Sequence, residues 1–177
     1  MSASPRDIVR NNVKEKLARD EVVASMIVRL VRSPEIARIA KTAGFDSLYV
    51  DLEHGSFSPE AASAICIAAL EAGIAPLVRV PGTGPEHVSP ALDGGALGVI
   101  APHIGSAVEA REVVVSAKFQ PLGERSAAGG LPQLHYRSFP AAEANAAMNE
   151  ATLVVVQFET ADAMQRREDN LHLVESR

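Results

Sequence analysis

The chain has 177 residues, and its 17 Lys and Arg against 22 Asp and Glu give a formal charge of −5, which leaves no basic excess for binding nucleic acid. Hydrophobic residues make up 47% of the sequence, which is typical of a globular domain and excludes disordered and fibrous chains. No apolar run reaches the ~18 to 20 residues of a membrane helix, and the amino terminus lacks the apolar stretch of a signal peptide. We therefore expect no membrane partner and a cytoplasmic location.

The first predicted elements precede any repeat. Val9, Val13 and Leu17 are four residues apart, which predicts one apolar face of a helix, and residues 22–30 follow as a first strand. The single cysteine, Cys66, lies further along in an apolar stretch. We expect it to be a small buried side chain, since one cysteine forms no internal disulfide.

Three segments then share the same opening, at intervals of 25 and 26 residues: Ser33-Pro34-Glu35, Ser58-Pro59-Glu60 and Gly84-Pro85-Glu86. Each places a capping residue or glycine before a proline at the first helical position, with a glutamate near the positive helix end. They predict three helix starts. Glycines suited to helix ends follow, and after each comes a short apolar run that we interpret as a buried strand, at 48–50, 77–80 and 97–101.

The pattern loosens after the third repeat. Ser106 and Glu109 predict a capping box at the start of a helix that runs to Lys118. Residues 121–138 have no clear period, so any fifth strand there is expected to be short. An alanine-rich helix at 140–149 and a β-branched sixth strand at 153–158 complete the predicted elements.

Apolar strands that alternate with helices indicate an α/β fold whose parallel sheet is covered on both faces. Six strand positions suit an open doubly wound sheet or a (β/α)8 TIM barrel. The sequence has no Gly-x-Gly-x-x-Gly after the first strand and no Walker loop, which disfavours a dinucleotide-binding fold. Because a barrel needs about 250 residues, we predict a single incomplete barrel domain over residues 1–177, with about six of the eight βα units.

Polar residues follow four of the predicted strands, at 51–54, 79, 102–103 and 157–159. The carboxyl ends of parallel strands converge on one face of such a fold, where its chemistry is usually found. An acid, an imidazole, a guanidinium and a second acid therefore recur at equivalent positions of separate repeats.

Asp51 and His54 suit a carboxylate–imidazole dyad, in which the acid fixes the orientation of a ring that moves a proton. Alternatively, Asp51 caps the helix after Gly55. Arg79 suits the binding of an oxyanion or carboxylate, or else forms a salt bridge within the mouth of the barrel. The spacing leaves both alternatives open.

Glu159 could ligate a hard divalent cation, with Gln157 hydrogen-bonding nearby. Its structural alternative is an ion pair with Arg79. The sequence pattern alone does not separate a metal site from this ion pair.

The chain resembles the HpcH/HpaI aldolases in five segments that occur in the family's order, from about Val22 to about Met164: 44–55, 76–81, 92–102, 121–125 and 154–160. The resemblance implies a TIM barrel and a metal-dependent class II pyruvate aldolase. Such a lyase cleaves a 4-hydroxy-2-oxo acid to pyruvate and an aldehyde through a pyruvate enolate, using Mg, Mn or Co. Its substrate is a small 2-oxo acid.

The resemblance also implies roles for single residues. Glu159 corresponds to the metal-binding glutamate and Gln157 to the glutamine beside it. His54 corresponds to the histidine that handles the hydroxyl proton, with Asp51 as its orienting acid, and Arg79 to the arginine at the ketone oxygen of pyruvate. These roles are coherent, because a cation and a guanidinium both stabilise an enolate.

The sequence departs from the family after Met164, where residues 165–177 form a divergent polar tail. The family has a helix there and then a seventh strand that brings a second metal carboxylate. One alternative is therefore a catalytically silent relative that acts as an assembly or binding subunit. A second alternative keeps the fold and changes the substrate, to that of a CoA-thioester lyase of the citrate-lyase beta type. We expect a homo-oligomer, since family members are oligomers and open sheet edges favour association.

Overall fold

The computed structural model describes residues 3–165. Five parallel strands form one sheet in which each strand lies beside its predecessor in the chain. The strands are β1 (Ser25–Val28), β2 (Ser47–Asp51), β3 (Ala75–Arg79), β4 (Gly98–Ala101) and β5 (Leu153–Val156). The predicted α/β class is confirmed.

Eight helices surround this sheet in the described part of the chain. They are α1 (Pro5–Ile8), α2 (Asn12–Leu17), α3 (Ile36–Thr42), α4 (Pro59–Ala72), α5 (Pro85–Asp93), α6 (Ala107–Ala117), α7 (Ala141–Ala151) and α8 (Ala161–Gln165). A short 3-10 helix covers Pro132–Leu134. Within residues 3–165, none of the helices has the length and hydropathy needed to cross a bilayer.

Two of the three predicted helix starts are confirmed at the expected proline. Helix α4 begins at Pro59, where the Ser58 hydroxyl accepts a hydrogen bond from the backbone of Ala61, and α5 begins at Pro85. Helix α3 instead begins at Ile36. The Ser33 hydroxyl binds the Glu35 carboxylate rather than a backbone N–H, so this serine is lost as a helix cap.

The predicted first helix is wrong in extent, because the structure has two short helices there. The Asn11 side chain accepts hydrogen bonds from the backbone N–H groups of Val13 and Lys14, which makes it the cap of α2 and ends any continuous helix. Val9 and Val13 are buried as expected, whereas Leu17 is about half exposed.

The predicted fifth strand is also wrong: residues 121–138 contain no strand, and β4 pairs directly with the strand that was numbered sixth. This region instead contains the 3-10 helix, from which the Gln133 amide donates to the carbonyls of Leu92 and Ala96. Gly98 permits the close approach of β4 and β5, because a Cβ there would lie 2.5 Å from the Leu153 carbonyl oxygen.

The core lies between the sheet and its helices. Val50, Val78 and Val99 are buried on the helix-covered face of β2, β3 and β4. Cys66 is buried in the same layer, so the prediction of a small buried side chain is confirmed, and burial raises the pKa of its thiol to about 12. Of the predicted tail 165–177, only Gln165 belongs to the described residues.

Candidate active site

A row of charged side chains crosses the carboxyl ends of β1, β2 and β3. Val28 pairs with Val50 and Asp51 pairs with Arg79, so Arg29, directly after β1, lies beside Asp51 in the same row. Side chains alternate between the two faces of a strand. The charged row is therefore on the face opposite to the helix-packed valines.

Asp51 is the centre of this row. Its side chain is fully buried, and the Arg79 guanidinium donates to both carboxylate oxygens, from Nε to Oδ1 at 2.9 Å and from Nη2 to Oδ2 at 2.6 Å. Burial alone would raise the pKa of Asp51, but the hydrogen bonds from Arg79 and from two backbone N–H groups outweigh it and hold this pKa below the ordinary value. Asp51 is therefore an ionised partner of Arg79.

Asp51 and His54 are close, but not in the expected way. Asp51 Oδ1 accepts hydrogen bonds from the backbone N–H groups of Glu53 and His54, both at 3.1 Å. The predicted contact with the imidazole is not among the hydrogen bonds of the described residues. The carboxylate nearest the ring is Glu53, whose Oε1 lies 3.6 Å from His54 Nε2. Asp51 thus orients the turn that carries His54 and not the ring itself.

Glu53 is a site residue that the sequence analysis missed. Its side chain is only 10% exposed, Oε2 lies 3.3 Å from Arg79 Nε, and Oε1 lies 2.7 Å from Nε2 of His103. A usable signal was present, because Glu53 belongs to the polar segment 51–54 that directly follows a predicted strand.

His103 was noted at a strand end but given no role, and the structure makes it a bridge. Its backbone has a left-handed φ of +56°. From this position its N–H donates to Glu159 Oε2 at 3.1 Å, and its Nδ1 lies 3.2 Å from the same oxygen. Because its Nε2 contacts Glu53, His103 connects the acid after β2 with the acid after β5. The structural alternative for Glu159, an ion pair with Arg79, is replaced by this contact.

Gln157 lies two residues before Glu159 and is fixed by its backbone, which donates to Ala101 and accepts from Ile104. Its side-chain Oε1 is buried with no hydrogen-bond partner among the described residues, and the same is true of Glu53 Oε2. Glu53 Oε2 has an ion pair with Arg79 instead, whereas the buried oxygen of Gln157 calls for a further partner.

The oxygens of Gln157 and Glu159 are compatible with a hard divalent cation, which prefers carboxylate and amide oxygen ligands. In residues 3–165, no group of three or more His, Cys, Asp or Glu side chains is arranged to hold a metal. Binding of a divalent cation by the described residues would therefore depend on the Glu159 carboxylate, with the amide of Gln157 beside it.

All four lysines are occupied elsewhere. Lys14, Lys41 and Lys118 donate to main-chain carbonyls, and Lys16 pairs with Asp46. The site has a guanidinium and carboxylates but no amine for a Schiff base.

A family model described as HpcH/HpaI aldolase/citrate lyase matches residues 24–171. The chain belongs to this family. It is 42% identical over 160 residues to the 4-hydroxy-4-methyl-2-oxoglutarate aldolase of Chaetomium globosum, covering 89% of this chain and 60% of that protein. A protein of the same printed name from Hapsidospora irregularis is 40% identical over 158 residues, with coverages of 88% and 58%.

The solved structure of an HpcH/HpaI aldolase from Desulfitobacterium hafniense superimposes with a TM-score of 0.86 at 32% identity, over 91% of this chain and 62% of that one. This likeness confirms the predicted TIM-barrel type of fold for the HpcH/HpaI chain described here. The chain spans about three fifths of the length of these relatives.

Proposed function

We propose that this HpcH/HpaI family member is a lyase that cleaves the C3–C4 bond of a 4-hydroxy-2-oxo acid. The products are pyruvate and a carbonyl compound, and a divalent cation assists. The observation that carries the proposal is the connected set of Arg79, Asp51, Glu53, His103 and Glu159 at the strand ends. It occurs in a chain whose curated relatives are named as aldolases of such acids.

Arg79 binds the 2-oxo end of the substrate. Nε and Nη2 of its guanidinium are engaged by Asp51, whereas Nη1 has no hydrogen-bond partner among the described residues. Nη1 is therefore free to donate to the ketone oxygen. As the C3–C4 bond breaks, the electron pair moves to C2–C3 and negative charge develops on that oxygen, so the donation becomes stronger in the transition state.

His54 accepts the proton of the C4 hydroxyl. Its side chain is 56% exposed at the strand ends, and its main chain is fixed by Asp51. Loss of this proton turns the C4–O bond into the carbonyl of the released product, and a proton added later at C3 of the enolate gives pyruvate. Asp51 acts here as a positioning residue for both Arg79 and the His54 turn.

The cation would be held by Glu159 with Gln157 beside it. When bound, Mg, Mn or Co supplies positive charge that stabilises the enolate. His103 keeps the Glu159 carboxylate in place through its backbone N–H and ring.

The test is release of pyruvate from 4-hydroxy-4-methyl-2-oxoglutarate and from 4-hydroxy-2-oxovalerate with Mg, Mn or Co, followed by coupled reduction with lactate dehydrogenase. We expect metal-dependent release by the unmodified chain. A double variant, His54→Ala with Glu159→Ala, is the control. Pyruvate no higher than in this control contradicts the proposal and favours a catalytically silent assembly subunit.

A CoA-thioester lyase is the second candidate, because the matching family also covers citrate lyase. Thermal-shift measurements with pyruvate, oxalate and acetyl-CoA, each with and without metal, separate the two. We expect stabilisation by pyruvate and oxalate. Stabilisation by acetyl-CoA alone would reverse the order of the two candidates.

We also propose that the chain forms a homo-oligomer. Val22, Leu30 and Ile39 are large apolar side chains that are more than half exposed around β1 and α3. Gel filtration with light scattering measures this directly, and a clean monomer with a sharp melting transition would contradict it.

A further inference from the structure

Arg29 is the one member of the charged row that the aldol chemistry above does not use. Its Nε lies 3.3 Å from Asp51 Oδ2, and its Nη2 donates to the main-chain carbonyl of His54 at 3.1 Å. Half of its side chain is exposed, against 12% for Arg79. Arg29 therefore lies at the open edge of the row, beside the residue that handles the hydroxyl proton.

Asp51 is held mainly by donors other than Arg29. Its Oδ1 accepts three hydrogen bonds, one from Arg79 and two from the backbone, and its Oδ2 accepts one from Arg79. Arg29 approaches this carboxylate as an ion pair without a hydrogen bond. Its Nη1 has no hydrogen-bond partner within residues 3–165, so the row holds a second guanidinium with unused donors.

The position of Arg29 indicates what it binds. If Arg79 holds the C2 oxygen and His54 the C4 hydroxyl, as in the proposed function on which this step rests, the substituents on C4 extend toward the edge where Arg29 lies. A guanidinium with free N–H groups favours a carboxylate there.

We propose that Arg29 is a specificity-determining residue that binds a carboxylate attached to C4 of the substrate. Such a carboxylate is present in 4-hydroxy-4-methyl-2-oxoglutarate, the acid in the names of two curated relatives, and the new element of the proposal is that Arg29 recognises it. Arg29 takes no part in bond breaking, so it sets which acids bind and not how the C3–C4 bond breaks.

Arg32 provides a matched control, because it follows Arg29 by three residues and also fixes the loop after β2. Its Nη2 donates to the carbonyl and hydroxyl oxygens of Ser56, and it is exposed. Removing Arg32 therefore removes a similar loop contact without removing a charge from the row.

The experiment compares two inert probes of equal length, 2-oxoglutarate and 2-oxopentanoate, by isothermal titration in the presence of Mn. The first probe carries the extra carboxylate and neither has a C4 hydroxyl, so neither can be cleaved. A charge-assisted hydrogen bond has a net worth of about 1.5–3 kcal/mol, so we expect the unmodified chain to bind 2-oxoglutarate about 10- to 100-fold more tightly.

Three variants then test whether this preference depends on Arg29. Arg29→Gln should reduce it to about threefold or less, Arg29→Lys should leave an intermediate preference, and Arg32→Gln should keep it whole. Melting curves by circular dichroism report whether each variant is folded. If Arg29→Gln is unfolded, the preference is measured with Arg29→Lys alone, and a preference equal to that of the unmodified chain overturns the proposal.

If Arg29 has only a structural role, the Arg29→Gln variant should bind both probes more weakly by the same factor. The ratio of the two dissociation constants would then be unchanged, which overturns the proposal. It is also overturned if the unmodified chain shows no preference, or binds neither probe. The chain could fail to release pyruvate and still show a preference that depends on Arg29. That result would contradict the proposed aldolase activity but would support the role of Arg29 in binding a carboxylate.

Discussion

The two ends of the sheet use their polar side chains differently. At the amino ends of β4 and β5, these groups bind main-chain carbonyls. Asn11 donates to Leu97 and Ala151, and Lys118 donates to Asn149 and Thr152. At the carboxyl ends, charged side chains bind one another. Buried oxygens without a hydrogen-bond partner among the described residues occur at both ends, in Ser47 and Gln133 at the amino ends and in Glu53 and Gln157 at the carboxyl ends.

This difference separates stability from chemistry in the same sheet. A polar side chain that binds a main-chain carbonyl holds the fold together, and its loss costs stability. A network of guanidinium, carboxylates and imidazoles carries charged groups that can also bind a charged ligand. The arrangement matches the usual division of labour in barrels, where the carboxyl face is catalytic.

The largest expected effect comes from His54→Ala. Removing the proposed proton acceptor should lower kcat/KM for pyruvate release by about 10²- to 10⁴-fold, the usual contribution of a positioned general base. The melting temperature should hardly change, because the His54 side chain is more than half exposed. Coupled lactate dehydrogenase assays measure the first quantity and circular dichroism the second.

The matched control for this change is His135→Ala, at a half-exposed histidine that lies 3.5 Å from Glu71 near the opposite end. It should leave kcat/KM unaltered. An equal loss of kcat/KM in His54→Ala and His135→Ala would contradict the conclusion that only the carboxyl ends of the strands carry the chemistry.

Asp51→Asn should lower the free energy of unfolding by about 3 kcal/mol, because it leaves Arg79 as a poorly compensated charge in a buried pair. Urea denaturation at neutral pH measures this loss. Asp46→Asn is the control, since the Asp46–Lys16 pair is partly exposed and should contribute about 1 kcal/mol or less.

The pH dependence has a definite sign. The folded-state pKa of Asp51 is lowered, so its stabilising contribution is present above the unfolded value of about 3.9 and is lost as the pH falls through the folded value. The asparagine variant should lack this part of the acid destabilisation. An acid limb identical to that of the unmodified chain would contradict the assignment.

Asn149→Ala tests the structural end. The Asn149 amide exchanges two hydrogen bonds with the backbone of Phe119 and is buried. We expect a loss of about 1–3 kcal/mol in the free energy of unfolding, with kcat/KM unchanged. Asn145→Ala, on the same helix and only partly buried, should have little effect on either quantity.

The smallest expected effect concerns Lys118. Burial lowers the pKa of its amine to about 8, and the positive charges of Lys14 and Arg125 add to this. The folded chain then releases the proton near pH 8, while the unfolded chain keeps it until about 10.5. Stability should therefore rise with pH between these values, by about 1 kcal/mol after allowance for partial exposure.

Urea denaturation at pH 7.5 and 9.5 measures this rise. Lys118→Gln should remove it, and Lys41→Gln, whose amine binds only the Gly73 carbonyl at the surface, should preserve it. A rise that persists without Lys118 must come from other groups.

The parts of the fold that depend on local chemistry could be predicted from the sequence. The proline-led starts of α4 and α5 are set within a few residues of each helix. The absence of a fifth strand at 121–138 could not, because it depends on Gln133 reaching Leu92 and on the contact of Gly98 with Leu153.

The site shows the same limit. Strand-end residues could be located, since parallel strands bring their carboxyl ends to one edge. The partners of these residues could not be predicted, because the guanidinium that binds Asp51 belongs to Arg79 on the next strand, 28 residues away. Glu53 could have been predicted from its place in the polar segment after β2, whereas the role of His103 depends on a left-handed backbone that no sequence signal marked.

The most direct test of the account is titration of the chain with Mn²⁺ while the histidine ring signals are followed by NMR, because the paramagnetic ion broadens nearby resonances. We predict that His54 and His103 broaden first, that His135 stays sharp, and that Glu159→Gln abolishes the selectivity. Early broadening of His135, or selective broadening that survives in Glu159→Gln, would contradict the claim that the carboxyl ends of the strands hold the cation-dependent site.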